Sequence, residues 1–214
     1  METDALSVTY ADEALLVLEK PAGLLSVPGR GADKQDCLST RAQSRYADAL
    51  VVHRLDMATS GLLVMARGKV AQRVLSRAFA NRQVHKKYVA LVHGRLAPSP
   101  LQWGMIDLPI AIDWPNRPRR VIEPGSGKAS VTRWRVLPDT EGEHTRVELE
   151  PVTGRSHQLR VHMLAIGHPI MGDALYARTP GDTHGGRLML HATRLGFAHP
   201  LTSQSMEFCS NPDF

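Results

Sequence analysis

Two cysteines, Cys37 and Cys209, are all that 214 residues contain, and they stand far apart, without CxxC or zinc-ligand spacing. No disulfide framework is therefore expected, and both read as buried or unremarkable thiols of a reducing compartment. Ten histidines are present, yet no HExxH pattern or Cys/His ligand cluster accompanies them, so no metal site is expected. No run of about 18 apolar residues and no charged start leading into an apolar h-region occurs, which points away from membrane insertion and secretion and towards the cytoplasm. Internal repeats and low-complexity stretches are missing as well.

The most informative absence is negative charge. Residues 57–106 contain no Asp or Glu, while Arg67, Lys69, Arg73, Arg77, Arg82, Lys86, Lys87 and Arg95 fall among them. A second basic run, Arg117, Arg119, Arg120, Lys128, Arg133 and Arg135, is opposed only by Asp113 and Glu123. The net charge of +5 is modest, and one such run would be read as a solvated face. Two in succession favour a polyanionic partner, most commonly nucleic acid.

What is present describes an ordinary globular chain. It is 43% hydrophobic and 22% charged with 17 Gly and 14 Pro, enough for one substantial core and short for two full domains. A single catalytic domain over residues 1–214 is expected.

Short apolar runs read as strands at residues 15–18, 50–52, 62–65, 88–92, 131–136, 146–149, 188–190 and 193–197, the pair 131–136 and 146–149 as a hairpin with a long polar tip. A helix is expected over residues 36–47, with Asp36 capping its first turn. Another is expected over 69–81, with Val70, Val74 and Ala78, flanked by Leu75 and Phe79, as its apolar stripe and Lys69, Arg73 and Arg77 recurring on another face. A third spans 156–166, with Leu159, Met163 and Ile166 on one side and Gly167 ending it. Many strands, few helices and no βαβ alternation indicate an α+β fold with a mixed, largely antiparallel sheet flanked by a few helices.

Two polar constellations stand out, His53-Arg54-Leu55-Asp56 leading into Thr59-Ser60-Gly61, and Gly154-Arg155-Ser156-His157-Gln158-Leu159-Arg160-Val161-His162. Asp56 is a lone carboxylate in a basic surround, which favours the ionised form and suits a nucleophile or base. On its own it is read first as a loop aspartate capping its turn, Arg155 as a surface arginine or a helix-entry residue, and His157 and His162 as satisfied polar packing.

Together these segments resemble the RluA-like pseudouridine synthases. The resemblance extends through Lys20-Pro21-Ala22-Gly23-Leu24-Leu25-Ser26-Val27-Pro28, Lys86-Lys87-Tyr88-Val89-Ala90 and Gly167-His168-Pro169-Ile170 to Gly172-Asp173, in the family's order and from about residue 12 to the C-terminus. Glu19 is a departure, since many relatives carry Asn there. The blocks at 23–30, 56–61 and 113–118 are similar to the short members that modify both a 23S rRNA hairpin and the anticodon stem-loop of tRNAs, without the separate N-terminal RNA-binding domain of larger relatives. The resemblance implies the pseudouridine synthase fold, a monomer, no cofactor, and structured RNA as partner.

It also implies roles. Asp56 starts cleavage of the glycosidic bond, whether at the sugar, at the base or on a sugar proton, and the uracil rejoins the ribose through C5. Tyr88 stacks under the flipped base and helps remove the C5 proton. Arg155 pairs with the catalytic aspartate, and Leu159 walls the uracil pocket. His53 and Arg54 contact the RNA, Arg54 as a wedge or base contact in the vacated stack, since a stacked uridine must be extruded before it can react. Lys69, Arg73 and Arg77 hold the backbone. A non-catalytic RNA-binding or RNA-folding factor would explain the basic runs without needing Asp56 or Tyr88. A nucleoside glycosidase would want a second carboxylate across the scissile bond.

Overall fold

The computed structural model describes residues 6–99, 102–138, 143–176 and 186–214. In chain order they form β1 (Ser7–Ala11), β2 (Leu15–Lys20), α1 (Leu38–Arg45), β3 (Ala49–Val51), β4 (Ser60–Arg67), α2 (Gly68–Ala80) and β5 (His85–His93). There follow β6 (Gly104–Asp107), β7 (Ile110–Ile112), β8 (Arg120–Ile122), β9 (Val131–Val136), β10 (His144–Pro151), α3 (Gln158–Ala165), β11 (Leu190–Ala198) and β12 (Ser205–Cys209). The chain divides into two compact units, residues 1–86 with 192–213, and residues 87–191 with 214.

In the first unit the strand order is β1-β2-β4-β11, with β3 also on β4 and β12 on β11. The pairs β1–β2, β2–β4, β3–β4 and β11–β12 are antiparallel. β4 is buried along nearly its whole length, as a strand covered on both faces must be, and its continuous apolar sequence reflects this. Gly61 opens it at φ 107, where a Cβ would run into the backbone of Ala192; only glycine allows that approach.

α2 packs through Ala71 and Leu75, with Ala78 and Phe79 beside them, on a core of Leu15, Val17, Leu62, Val64, Leu195 and Phe197. The expected stripe is thus displaced by one residue, leaving Val70 and Val74 62% and 42% exposed. One residue is about 100° of helix, and the stack of Phe79 on His53, ring centroids 4.3 Å apart, together with Gln72 Nε2 donating to the Val51 carbonyl at 3.1 Å, sets the helix rotation. At α1 the cap is Cys37, whose Sγ accepts from the Thr40 N–H. Asp36 is drawn instead to Arg41, at 2.6 and 2.7 Å, because two charge-assisted bonds outweigh one to a backbone amide. Cys37 is buried and Cys209 is exposed.

In the second unit the order is β5-β10-β9-β6, and β7 and β8 form a separate hairpin. The pairs β5–β10, β9–β10, β6–β9 and β7–β8 are antiparallel. The tip expected between β9 and β10 includes 139–142, outside the described residues. α3 buries Leu159, Val161 and Met163, and Gly167 at φ 90 ends it. The fold is α+β, with three α-helices among the described residues and largely antiparallel strand pairing.

Candidate active site

Asp56 lies half-buried in the loop between β3 and β4. An eight-residue polar loop would ordinarily be mobile, but this one is held from several sides. The Ser26 hydroxyl donates to the Leu55 carbonyl at 2.7 Å and accepts the Leu55 N–H at 3.1 Å, doing for Leu55 what a neighbouring strand would do. The Gly23 N–H donates to the Met57 carbonyl at 2.9 Å, and the Thr59 N–H closes a turn onto the Asp56 carbonyl at 3.1 Å.

Beneath the loop sits Lys20, wholly inaccessible. Its ammonium donates to the carbonyls of Pro21, Leu24 and Met57 at 2.7, 2.8 and 3.0 Å. Three donors meet three acceptors, which is the condition under which a buried ammonium is tolerated. Burial pushes its pKa down to about 8, while the charge of Asp56 acts in the opposite direction. Lys20 therefore joins the 20–26 segment to the Asp56 loop. In the sequence it is one residue of the Lys20–Pro28 block, and what it holds is visible only once the carbonyls are placed.

His53 stands at the other end of the loop. Its Nε2 accepts the Val64 N–H at 3.0 Å, so that nitrogen carries no proton. Burial, and secondarily the charge of Lys86, push its pKa down to about 3. The neutral ring splices the loop onto β4. Arg54 is exposed beside it. On α2, Lys69, Arg73 and Arg77 are all exposed, at the four-residue spacing that stacks them along one face.

In the second unit, Tyr88 is half-buried on β5, opposite Leu149 of β10. Arg155 is exposed in the turn before α3. Its N–H donates to Gln158 Oε1 at 3.0 Å, and its Nε reaches the Ala129 carbonyl at 3.4 Å. Gln158 is the organiser here: its Oε1 also accepts the Thr153 hydroxyl at 2.7 Å, and its Nε2 donates to the Val131 carbonyl and Thr132 Oγ1 at 2.9 and 3.0 Å. Leu159, the next residue, is buried.

Behind this turn, Arg160 and Asp173 form a buried bidentate pair, both bonds at 2.7 Å. Asp173 Oδ1 also accepts the N–H groups of Leu175 and Tyr176 at 3.0 and 3.2 Å. His162, fully buried, lies 2.9 Å from Thr132 Oγ1 through Nδ1 and 3.0 Å from the Leu108 carbonyl through Nε2. The carbonyl requires a proton on Nε2, leaving Nδ1 to accept the threonine hydroxyl. Burial lowers its pKa. The polar residues of this constellation other than Arg155 are thus largely committed to holding its shape.

Residues 14–165 match the family described as RNA pseudouridylate synthase. A Yersinia pestis protein named dual-specificity RNA pseudouridine synthase RluA is 47% identical over 97% of this chain and 99% of its own. The protein of the same name from Escherichia coli strain K12 is 48% identical over 98% and 94%. Among solved structures, human RNA pseudouridylate synthase domain containing 1 superposes with a TM-score of 0.81 at 30% identity, covering all of this chain and 86% of that one. Human RNA pseudouridylate synthase domain containing 4 does so with a TM-score of 0.74 at 27% identity, covering 97% and 89%.

Proposed function

The chain belongs to the RNA pseudouridylate synthase family, and on that premise we propose that it isomerises uridines in both a 23S rRNA hairpin and the anticodon stem-loop of tRNAs. The observation that carries the reading is the Asp56 loop, one acid in a basic surround, held by Lys20 and Ser26 with the backbone on either side of the carboxylate fixed. The dual specificity rests on likeness to relatives that bear it in their names.

In this reading both units belong to one catalytic domain working as a monomer in the cytoplasm. The target nucleotide is extruded, at a cost on the order of a few kcal/mol, offset by phosphate contacts to Lys69, Arg73 and Arg77 and by Arg54 entering the vacated stack. Asp56 acts as nucleophile or base and the glycosidic bond breaks. The freed uracil turns and rejoins C1′ through C5, whose proton leaves with the help of the Tyr88 phenol. Arg155 is the cation that pairs with the catalytic carboxylate, and Leu159 gives the base an apolar wall. Reactant and product are isomers, so nothing is oxidised and no cofactor is required. His53 acts on the RNA indirectly, by fixing the loop that presents Arg54.

Pseudouridine mapping of total RNA from a strain lacking the protein, complemented with wild type or Asp56→Asn, tests this. Signals at a 23S rRNA hairpin and at tRNA anticodon loops should vanish in the deletion and return only with wild type. Pseudouridine restored by Asp56→Asn would overturn the assignment of Asp56, and loss confined to one RNA class would overturn the dual specificity.

A further inference from the structure

The β7–β8 hairpin ends in Asp113-Trp114-Pro115-Asn116-Arg117-Pro118-Arg119, a segment to which the roles above assign nothing. It is stiff. Asp113 Oδ1 accepts the Asn116 N–H at 3.3 Å, and the Asn116 amide donates to both carboxylate oxygens at 3.1 and 3.0 Å. The Asp113 N–H donates to the Arg119 carbonyl at 3.1 Å, and the Arg119 N–H to the Asn116 carbonyl at 3.0 Å.

Its base is anchored to the constellation that carries Arg155. Ile110 is buried with Val161 of α3 and Tyr176, and the Tyr176 hydroxyl accepts the Arg120 N–H at 2.7 Å while lying 2.8 Å from His157 Nδ1. Ile110 and Lys128 exchange backbone bonds at 3.0 and 2.9 Å, and Ala129, next in the chain, takes the Nε of Arg155.

On this support Trp114 is 63% exposed. The Arg117 guanidinium lies 4.9 Å from its ring centroid, covering part of the indole and leaving the rest to solvent. Arg119 and Arg120 belong to the hairpin and Lys128 pairs with its Ile110, while the acids of the segment are Asp113 and Glu123. Asp113 is taken up by Asn116, and Glu123 Oε1 accepts the Gly125 N–H at 3.1 Å. An ordered indole held in water beside a guanidinium, among cations, has the chemistry of a base-stacking platform with phosphate contacts at its rim.

We propose that Trp114 and Arg117 form a stacking clamp for an unpaired base of the substrate RNA other than the uridine that reacts. This rests on the reading of the chain as an enzyme of stem-loop RNA. Every base has a π-face, so the clamp tolerates different loop sequences, which suits one enzyme acting on two RNAs.

The test measures the affinity of full-length Asp56→Asn protein for a synthetic anticodon stem-loop, a synthetic 23S rRNA hairpin and a blunt RNA duplex. Adding Trp114→Ala weakens both stem-loops about tenfold, the effect of losing one stacked base, and leaves the duplex unchanged. Trp114→Phe keeps a stacking ring and most of the affinity, yet abolishes the part of the tryptophan quenching on RNA binding that Trp114 supplies. Met105→Ala, exposed elsewhere in the unit, binds as the parent does. Unchanged stem-loop affinity in Trp114→Ala, or equal weakening on the duplex, overturns the clamp. Turnover by protein with Asp56 restored is scored separately: absent turnover with an intact Trp114 effect sinks the enzymatic reading alone, and normal turnover without a Trp114 effect sinks the clamp alone.

Discussion

The ammonium of Lys20 donates to the carbonyl of Met57 at 3.0 Å, fastening the residue that follows Asp56 to a lysine at the end of β2. Replacing Lys20 by Met preserves the stem and removes the donors of three carbonyls. Leaving buried acceptors unpaired should cost about 3 kcal/mol, read as a lower denaturant midpoint. A loop displaced by as little as about 1 Å should lose on the order of 100-fold in turnover. A Lys20→Met protein with wild-type stability and rate would show that the clamp is dispensable.

Acid should destabilise the fold through His53. Its folded pKa of about 3 lies below the ordinary histidine value of 6.5, so below pH 6.5 the unfolded chain binds the proton that the folded chain refuses. The stability contributed is full above pH 6.5 and is lost as pH falls towards 3. His191, pushed down to about 4 by burial and by Arg187, adds in the same direction. His53→Gln, which keeps an acceptor for the Val64 N–H but does not titrate, should show a shallower fall in unfolding free energy between pH 6.5 and 4. An identical slope would refute the assignment.

Replacing Lys69, Arg73 and Arg77 together with Ala should weaken binding of both proposed RNA substrates without altering the melting temperature, since all three side chains are exposed. If each neutralises one phosphate, the slope of log affinity against log salt should flatten by about 2 to 3. Equal slopes for variant and wild type would remove α2 from the RNA-binding surface.

The Arg160–Asp173 pair is a structural element behind the Arg155 turn. Asp173→Ala leaves a guanidinium buried without its partner and two N–H groups without their acceptor, and should destabilise by about 3 to 5 kcal/mol. Exchanging both residues for apolar ones should cost much less than the single change. Chemical denaturation of the three proteins gives the comparison.

Much of this protein was legible from residue types and spacing. The acid-free stretch, the strands around the Asp56 loop, and the positions of α2 and α3 follow from charge, turn residues and periodicity, which are local properties of the chain, whereas Asp56 itself was marked out by the resemblance of its motif to a known family. Tertiary structure decided what depends on the partner rather than on the residue. Lys20 fastens the Asp56 loop, and nothing in the sequence marks this because its acceptors are carbonyls, which every residue possesses and no side-chain pattern marks. Val70 and Val74 are exposed and Ala71 and Leu75 buried because a helical stripe can turn by one residue at little cost in pattern, and the choice falls to the His53–Phe79 stack. Asp36 leaves its expected cap for Arg41, and Gln158 becomes the hub of the Arg155 turn, for the same reason: a polar side chain declares what bonds it can make, and only the folded chain determines which groups come within reach.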